Sequence, residues 1–248
     1  MTLISFKALS FDADGTLLGT SVGSQKGFEN FFLEAAKSRG KEFTLSQLSP
    51  ILLRLKKEEL ERRKQGYRPY VSALSARSHW LWVYQEVFDG MGLPNPGLMA
   101  EEFFARYETG EFTELYADVL PSLQKLKALG IPMILISNFS PILKEFLEKF
   151  KLSEFFKGIL ISGIEGVEKS DRSLFDKGVK MLGCSPSEVL HVGDNYEEDY
   201  LAGQSAGLQT VLLDREDRCD RPGVLKIKTL LELTEEQVFK KIPGSQQE

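Results

Sequence analysis

Asp12 and Asp14 stand two residues apart in the run Phe6-Lys7-Ala8-Leu9-Ser10-Phe11-Asp12-Ala13-Asp14-Gly15-Thr16, where an apolar stretch gives out. Along a strand, alternate side chains share a face, so two carboxylates at this spacing can aim at one reacting atom. One can attack as a nucleophile while the other gives and recovers a proton, provided its pKa is raised by neighbouring acids and partial burial. Gly15 permits a sharp turn after the pair, and the Thr16 hydroxyl is expected to tie it.

Other residues suited to the same chemistry lie far along the chain. Ser137-Asn138 follows the apolar run Ile131 to Ile136, Lys169 follows a short apolar stretch ending at Ile161, and Gly193-Asp194 follows Val189 to Val192. Asp199 comes five residues after Asp194. The Ser137 hydroxyl, the Asn138 backbone amide and the Lys169 ammonium can all donate to anionic oxygens. Asp194 adds a third carboxylate, which makes such a site too negative to receive a phosphate dianion unaided. Magnesium would relieve that repulsion, since it takes oxygen ligands, keeps several waters and bridges carboxylate to phosphate. Asp199 is expected to orient Lys169 or a metal-bound water rather than to ligate. His191 falls on the strand face opposite Asp194 and is expected to be a packed side chain.

These residues need a scaffold that brings them to one place. From Gly130 onward, apolar runs alternate with amphipathic stretches. Strands are predicted at 131–136, 158–161, 189–192 and 210–213, and helices near 142–150, 173–182 and 197–206. That alternation predicts a doubly wound parallel sheet, with ligands bound beyond the carboxyl ends of its strands. Asp12, Ser137 and Asp194 follow such ends, and Lys169 follows one after a short loop.

Between Leu18 and Tyr116 the rhythm becomes helical. Stripes run through Phe28, Phe31, Phe32, Ala35 and Ala36; through Leu48, Ile51, Leu52 and Leu55; through Leu81, Tyr84, Val87 and Phe88; and through Phe103, Phe104 and Tyr107. The predicted organisation is a catalytic core at 1–17 and 117–248 interrupted by a helical domain at 18–116, which leaves from Thr16 and is placed to act as a lid. Within it, Arg68, Arg77 and His79 are candidates for substrate anion or hydroxyl contacts, although His79, beside Trp80, is expected rather to pack among the helices. The charged stretch 56–64 reads as a solvated helix face, with Glu58–Arg62 and Glu59–Arg63 spaced for pairing.

Composition narrows the remaining classes. With 42% hydrophobic residues over 248 positions, the chain can bury a substantial core. A formal charge of −5, from 31 basic and 36 acidic side chains, leaves no broad cationic surface for nucleic acid or an anionic membrane. Cys184 and Cys219 lack disulfide-framework or zinc spacing, so a reducing, cytoplasmic setting is expected. The start of the chain, with Lys7 interrupting its apolar stretch, is unlike a cleavable signal. The polar tail from Pro243 is expected to fray. No sequence signal speaks to oligomeric state.

The ordered set Asp12-x-Asp14-x-Thr16, Ser137, Lys169 and Gly193-Asp194-x4-Asp199 resembles the haloacid dehalogenase-like hydrolase superfamily over the whole chain. The insertion resembles that superfamily's helical C1-type cap, and the stretches around Ser137 and His191 resemble one narrower group within it. The resemblance implies a Rossmann-like core and a Mg2+ ion held by the Asp12 and Asp194 carboxylates and the Asp14 backbone carbonyl. It implies a phosphatase acting on a small phosphorylated metabolite through an aspartyl-phosphate on Asp12. Relatives commonly carry Pro-Asp-Pro after the lysine, whereas here Lys169-Ser170-Asp171-Arg172 is expected to leave the chain looser. A 2-haloacid dehalogenase would use the same nucleophile without needing an acid at Asp14. A phosphomutase would use the same parts, and a non-catalytic binding or scaffold protein could keep the fold and present an apolar cap surface bearing Trp80, Trp82 and Phe88.

Overall fold

The computed structural model describes residues 4–20, 27–235 and 239–241. Its strands, in chain order, are β1 (Ile4–Phe6), β2 (Ala8–Phe11), β3 (Leu18–Thr20), β4 (Thr113–Leu115), β5 (Met133–Ser137), β6 (Gly158–Ile161), β7 (Val189–Gly193), β8 (Gln209–Leu213), β9 (Lys226–Ile227) and β10 (Phe239–Lys241). The chain forms two compact units, one of Met1–Gly19 with Leu115–Glu248 and the other of Thr20–Glu114.

The larger unit is built on a six-stranded sheet in the order β6-β5-β2-β7-β8-β9, parallel at each pairing. This is the doubly wound architecture that the alternating pattern predicts. β2, β5 and β7 are buried along their whole length, as strands covered on both faces require. Helices α5 (Val119–Ala128), α6 (Leu143–Lys149), α7 (Ser162–Glu165), α8 (Arg172–Leu182) and α9 (Ala202–Ser205) belong to this unit. Leu174, Phe175, Val179 and Leu182 of α8 pack on Ile134, Ile136 and Leu160 of the sheet. At Gly178 a Cβ would press on the Ile134 and Ile136 side chains, so glycine lets the helix lie close to the strands. The first apolar run breaks at Lys7, whose ammonium meets Glu188 at 2.7 Å, and β1 therefore pairs separately with β10.

The smaller unit contains the long helices α1 (Gly27–Lys37), α2 (Leu45–Lys64), α3 (Ala73–Gly90) and α4 (Pro96–Glu108); these precede α5 in the chain. Phe32, Leu48, Leu55, Tyr84, Val87, Phe88, Phe103 and Phe104 make one core, in which Phe103 stacks on Phe32 at 5.4 Å and meets Tyr84 edge-on at 4.7 Å. Trp80 and Trp82 pack against this core and Phe88 lies inside it, so these aromatics do not form an exposed apolar face. Arg62 pairs with Glu58 at 2.8 Å and Arg63 with Glu59 at 2.9 Å, on the helix surface as their spacing predicts. The short strands β3 and β4 were not legible in the sequence, because three residues are too few to display an alternation. Among the described residues no helix is long and apolar enough to cross a membrane. The polar tail from Pro243 lies outside the described residues.

Candidate active site

The central strand β2 sits between β5 and β7, with Phe11 level with Leu135 on one side and Val192 on the other. The Asp12 amide continues the ladder by donating to the Val192 carbonyl at 2.9 Å. Asp12, Ser137 and Gly193 therefore leave neighbouring strands at one edge, where the connections diverge to either side of β2.

Asp12 is only 5% exposed, and both donors to its side chain act on one oxygen. The Ser137 hydroxyl donates to Oδ1 at 3.0 Å, and the Lys169 ammonium donates to the same atom. These contacts orient the carboxylate with Oδ2 as its other face. Burial pushes the Asp12 carboxyl up to about 7 against the pull of Lys169, with Asp199 and Asp14 adding like charge.

Lys169 is fully buried and shared between two carboxylates, Asp12 and Asp199, the latter at 2.5 Å. Those charges hold its ammonium protonated, above the ordinary lysine range, despite the cost of burial. The loop carrying it is not slack, although Ser170 replaces the stiffening proline. Asp171 N–H donates to the Glu168 carbonyl at 2.8 Å, closing a turn around Lys169-Ser170, and the Asp171 side chain caps α8 by accepting from Ser173 N–H at 2.9 Å. Asn138 Oδ1 accepts the Lys169 amide at 2.8 Å, and its Nδ2 donates to Glu198 at 2.8 Å.

Solvent reaches Asp14, yet protein around its other sides raises its carboxyl to about 6. The turn after it is closed by main-chain bonds, Gly15 N–H to the Leu18 carbonyl at 2.8 Å and Leu17 N–H to the Ala13 carbonyl at 2.8 Å. The Thr16 hydroxyl, expected to tie this turn, is buried and makes no hydrogen bond among the described residues. Being fully enclosed, it is not presented as a phosphate contact either. Gly15 has φ +73°, and a Cβ there would strike the Asp194 carboxylate, so glycine is required both for the turn and for the approach of these two segments. Arg215 braces the loop from outside the motif, donating to the Thr16 carbonyl at 2.8 Å and to Asp118 at 2.9 Å.

After Gly193 the chain enters a π-helix, Tyr196–Leu201, capped by the Asn195 side chain, which accepts from Glu197 and Glu198 N–H at 3.0 Å each. The bulge returns Asp199 to Gly193, where a Cβ would overlap the Asp199 carboxylate. Asp199 Oδ2 accepts from Asn195 N–H at 2.9 Å, while Oδ1 receives Lys169 and His191 Nε2 at 3.2 Å. Lys169 and these hydrogen bonds hold its carboxyl well below the usual carboxylate range, despite burial. Asp194 is exposed and has the opposite tendency. Surrounding protein mass and the Asp199, Asp12 and Asp14 charges push it well above that range.

Carboxylate oxygens of Asp12, Asp194 and Asp199 lie within 4.8 Å of one another and could hold a metal ion. Of the expected residues, Ser137 and Lys169 converge on Asp12, Asp199 converges on Lys169, and Asn138 reaches the lysine loop through its side chain. His191 is more than packing, because both ring nitrogens are hydrogen-bonded inside the network. Glu198 and Arg215 carried no spacing signal that sequence reasoning could have used. The candidate cap contacts are engaged locally. Arg77 pairs with Glu101, Arg68 bonds the Arg63 and Tyr67 carbonyls at 2.9 Å each, and His79 is 1% exposed amid Tyr67, Tyr70, Trp80 and Trp82.

A doubly wound parallel sheet that gathers carboxylates and a buried lysine at its carboxyl edge defines an α/β protein with a site suited to nucleophilic and acid–base chemistry. A haloacid dehalogenase-like hydrolase family profile matches residues 6–207, and the chain belongs to that family. Among curated relatives, haloacid dehalogenase-like hydrolase domain-containing protein 3 of Danio rerio is 30% identical over 56% of this chain and 58% of its own length. The chain thus spans little more than half the length of that relative, whose name matches the narrower group the sequence resembles. Glyceraldehyde 3-phosphate phosphatase of Methanopyrus kandleri is 28% identical over 84% of each chain. Among solved structures, the HAD-hydrolase YfnB of Bacillus subtilis superposes with a TM-score of 0.70 at 18% identity, covering 92% of this chain and 97% of its own, and so shares the fold.

Proposed function

We propose that this hydrolase is a magnesium-dependent phosphatase that cleaves small phosphomonoesters through an aspartyl-phosphate on Asp12. The observation that carries this reading is the pairing of a buried Asp12, fixed through Oδ1, with a solvent-reached Asp14 whose carboxyl is raised to about 6. A halide departs without a proton, so a dehalogenase has no use for that acid, whereas an alkoxide leaving phosphorus does. The phosphatase name of the Methanopyrus relative supports the same assignment.

In the first half of the reaction, Asp12 Oδ2 attacks phosphorus and the ester P–O bond breaks. Asp14 gives its proton to the departing oxygen. In the second half, Asp14 takes a proton from water as the water oxygen attacks the aspartyl-phosphate, which releases inorganic phosphate and restores Asp12. Lys169 and the Asn138 backbone amide are assigned to the phosphoryl oxygens, where developing negative charge needs fixed donors, and the Ser137 hydroxyl, which has one proton, joins them by turning from Asp12 Oδ1.

The donor set suits a hard divalent cation. Asp199 has its oxygens committed to Lys169, His191 and Asn195, which leaves the Asp12 and Asp194 carboxylates, with the Asp14 carbonyl, as the proposed ligands. Magnesium bound there would neutralise the carboxylate cluster and polarise the phosphoryl group. The helical insertion at 18–116 is assigned the part of a cap that selects the substrate.

Hydrolysis of p-nitrophenyl phosphate, measured with magnesium, with EDTA and in Asp12→Asn, tests the reading. Turnover that needs both the metal and Asp12 is expected. Metal-dependent turnover persisting in Asp12→Asn would sink the nucleophile assignment, and an inactive wild type would favour a binding role.

A further inference from the structure

Behind Lys169 lies a polar chain that the reaction above does not use. Ser10, on β2, is fully buried, and its Oγ meets His191 Nδ1 at 2.5 Å. His191, on β7, is also fully buried and stands opposite Ser10 in the strand register. Its Nε2 meets Asp199 Oδ1 at 3.2 Å, the same oxygen that receives Lys169, and Lys169 in turn bonds Asp12. Phe175 closes the imidazole edge-on at 5.0 Å, holding the ring plane.

Each link constrains the next. A serine hydroxyl can donate or accept, but a carboxylate only accepts, so the ring must present N–H to Asp199 at Nε2. In the neutral ring Nδ1 is then the acceptor for Ser10 O–H. In this tautomer the imidazole fixes one side of the Asp199 carboxylate and Asn195 N–H fixes the other, leaving Asp199 a single orientation in which to hold the ammonium. A buried lysine has a long, flexible stem, and its placement depends on such fixed partners.

We propose that His191, set by Ser10 in the Nε2–H tautomer, is a positioning residue that aims Lys169 at the reacting group by locking Asp199. The inference rests on the phosphatase reading for its consequence, though not for its geometry. It predicts a loss in turnover rather than in substrate binding, because Lys169 is asked to stabilise charge that develops only during phosphoryl transfer.

The experiment takes the full chain with magnesium and measures p-nitrophenyl phosphate kinetics for wild type, His191→Phe, His191→Gln and Ser10→Ala. Two-bond 1H–15N spectra are recorded in parallel; with two histidines in the sequence, His191→Gln assigns the signals. His191→Phe is expected to lose about tenfold in kcat with KM within about twofold. His191→Gln, whose amide can donate to Asp199, should recover most of that loss. Ser10→Ala leaves the ring in place and keeps the proposal testable should His191→Phe fail to fold; it is expected to mix the tautomers and lower kcat by a few fold. The wild-type spectrum should show His191 as the Nε2–H tautomer. An Nδ1–H tautomer, or full kcat in folded His191→Phe, overturns the proposal. If the wild type turns over no phosphate ester, the phosphatase reading falls alone, and the tautomer still decides whether the Ser10–His191–Asp199 lock exists.

Discussion

The Asn138 side chain carries the backbone of Lys169: its Oδ1 accepts the lysine N–H at 2.8 Å while its Nδ2 is held by Glu198. A residue expected to serve through its own backbone amide thus also joins the loops after β5, β6 and β7. The proline that relatives place after the lysine restricts the chain locally; here a side chain from the loop after β5 restrains it instead.

Asn138→Ala should therefore lower kcat by roughly tenfold and destabilise the fold by about 1–2 kcal/mol, since a part-buried amide loses its acceptor. Steady-state kinetics and urea unfolding measure the two effects. Unchanged kcat would show that the Glu168–Asp171 turn suffices to place Lys169.

Asp14→Asn separates the two halves of the reaction. p-Nitrophenolate is a good leaving group that needs little protonation, whereas water attack on the aspartyl-phosphate still needs a base. Rapid mixing should show a burst approaching about one equivalent of nitrophenolate per enzyme, followed by slow turnover. A uniform slowing with no burst would argue that Asp14 acts only in the first step.

Asp194 predicts opposite effects on stability and activity. Its folded-state pKa is raised, so the stability tied to its neutral form is present at pH below the ordinary carboxylate range and is lost as pH rises through the raised value. In EDTA at pH 8, Asp194→Asn should have a higher Tm than wild type, with the difference shrinking towards pH 4, while magnesium-dependent activity is lost. Thermal unfolding across pH, with and without magnesium, provides the check. A lower Tm for the variant at pH 8 would count against like-charge crowding at the site.

His79 gives the helical unit its own acid sensitivity. Burial, with Arg63 and Arg62 nearby, lowers its pKa from 6.5 to about 4 in spite of Glu59. The unfolded chain then binds the proton more readily, so stability is lost as pH falls from 6.5 towards 4, by up to about 3 kcal/mol. Trp80 and Trp82 lie 5.4 and 5.9 Å from the imidazole, and their fluorescence reports this unit directly. His79→Phe should flatten the dependence; an unchanged acid transition would place the sensitivity elsewhere.

Local sequence determined the ends at which this protein places its chemistry. Apolar runs too continuous for an exposed surface had to be covered strands, and Asp12, Ser137 and Asp194 follow those runs directly, so a parallel sheet brings them to one edge. The helical stripes were legible for the same reason, since periodicity is a property of near neighbours. Only the tertiary structure decided which atoms meet there. Ser10 and His191 lie 181 positions apart, Asn138 and Glu198 lie 60 apart, and nothing in either spacing records the contact. Thr16 diverged from expectation because residue type suggested a polar role while burial enclosed its side chain. A strand's sequence specifies its faces and its end, but a hydrogen bond between distant segments depends on register, on where glycine admits a close approach, and on a π-helix that turns Asp199 back towards Lys169.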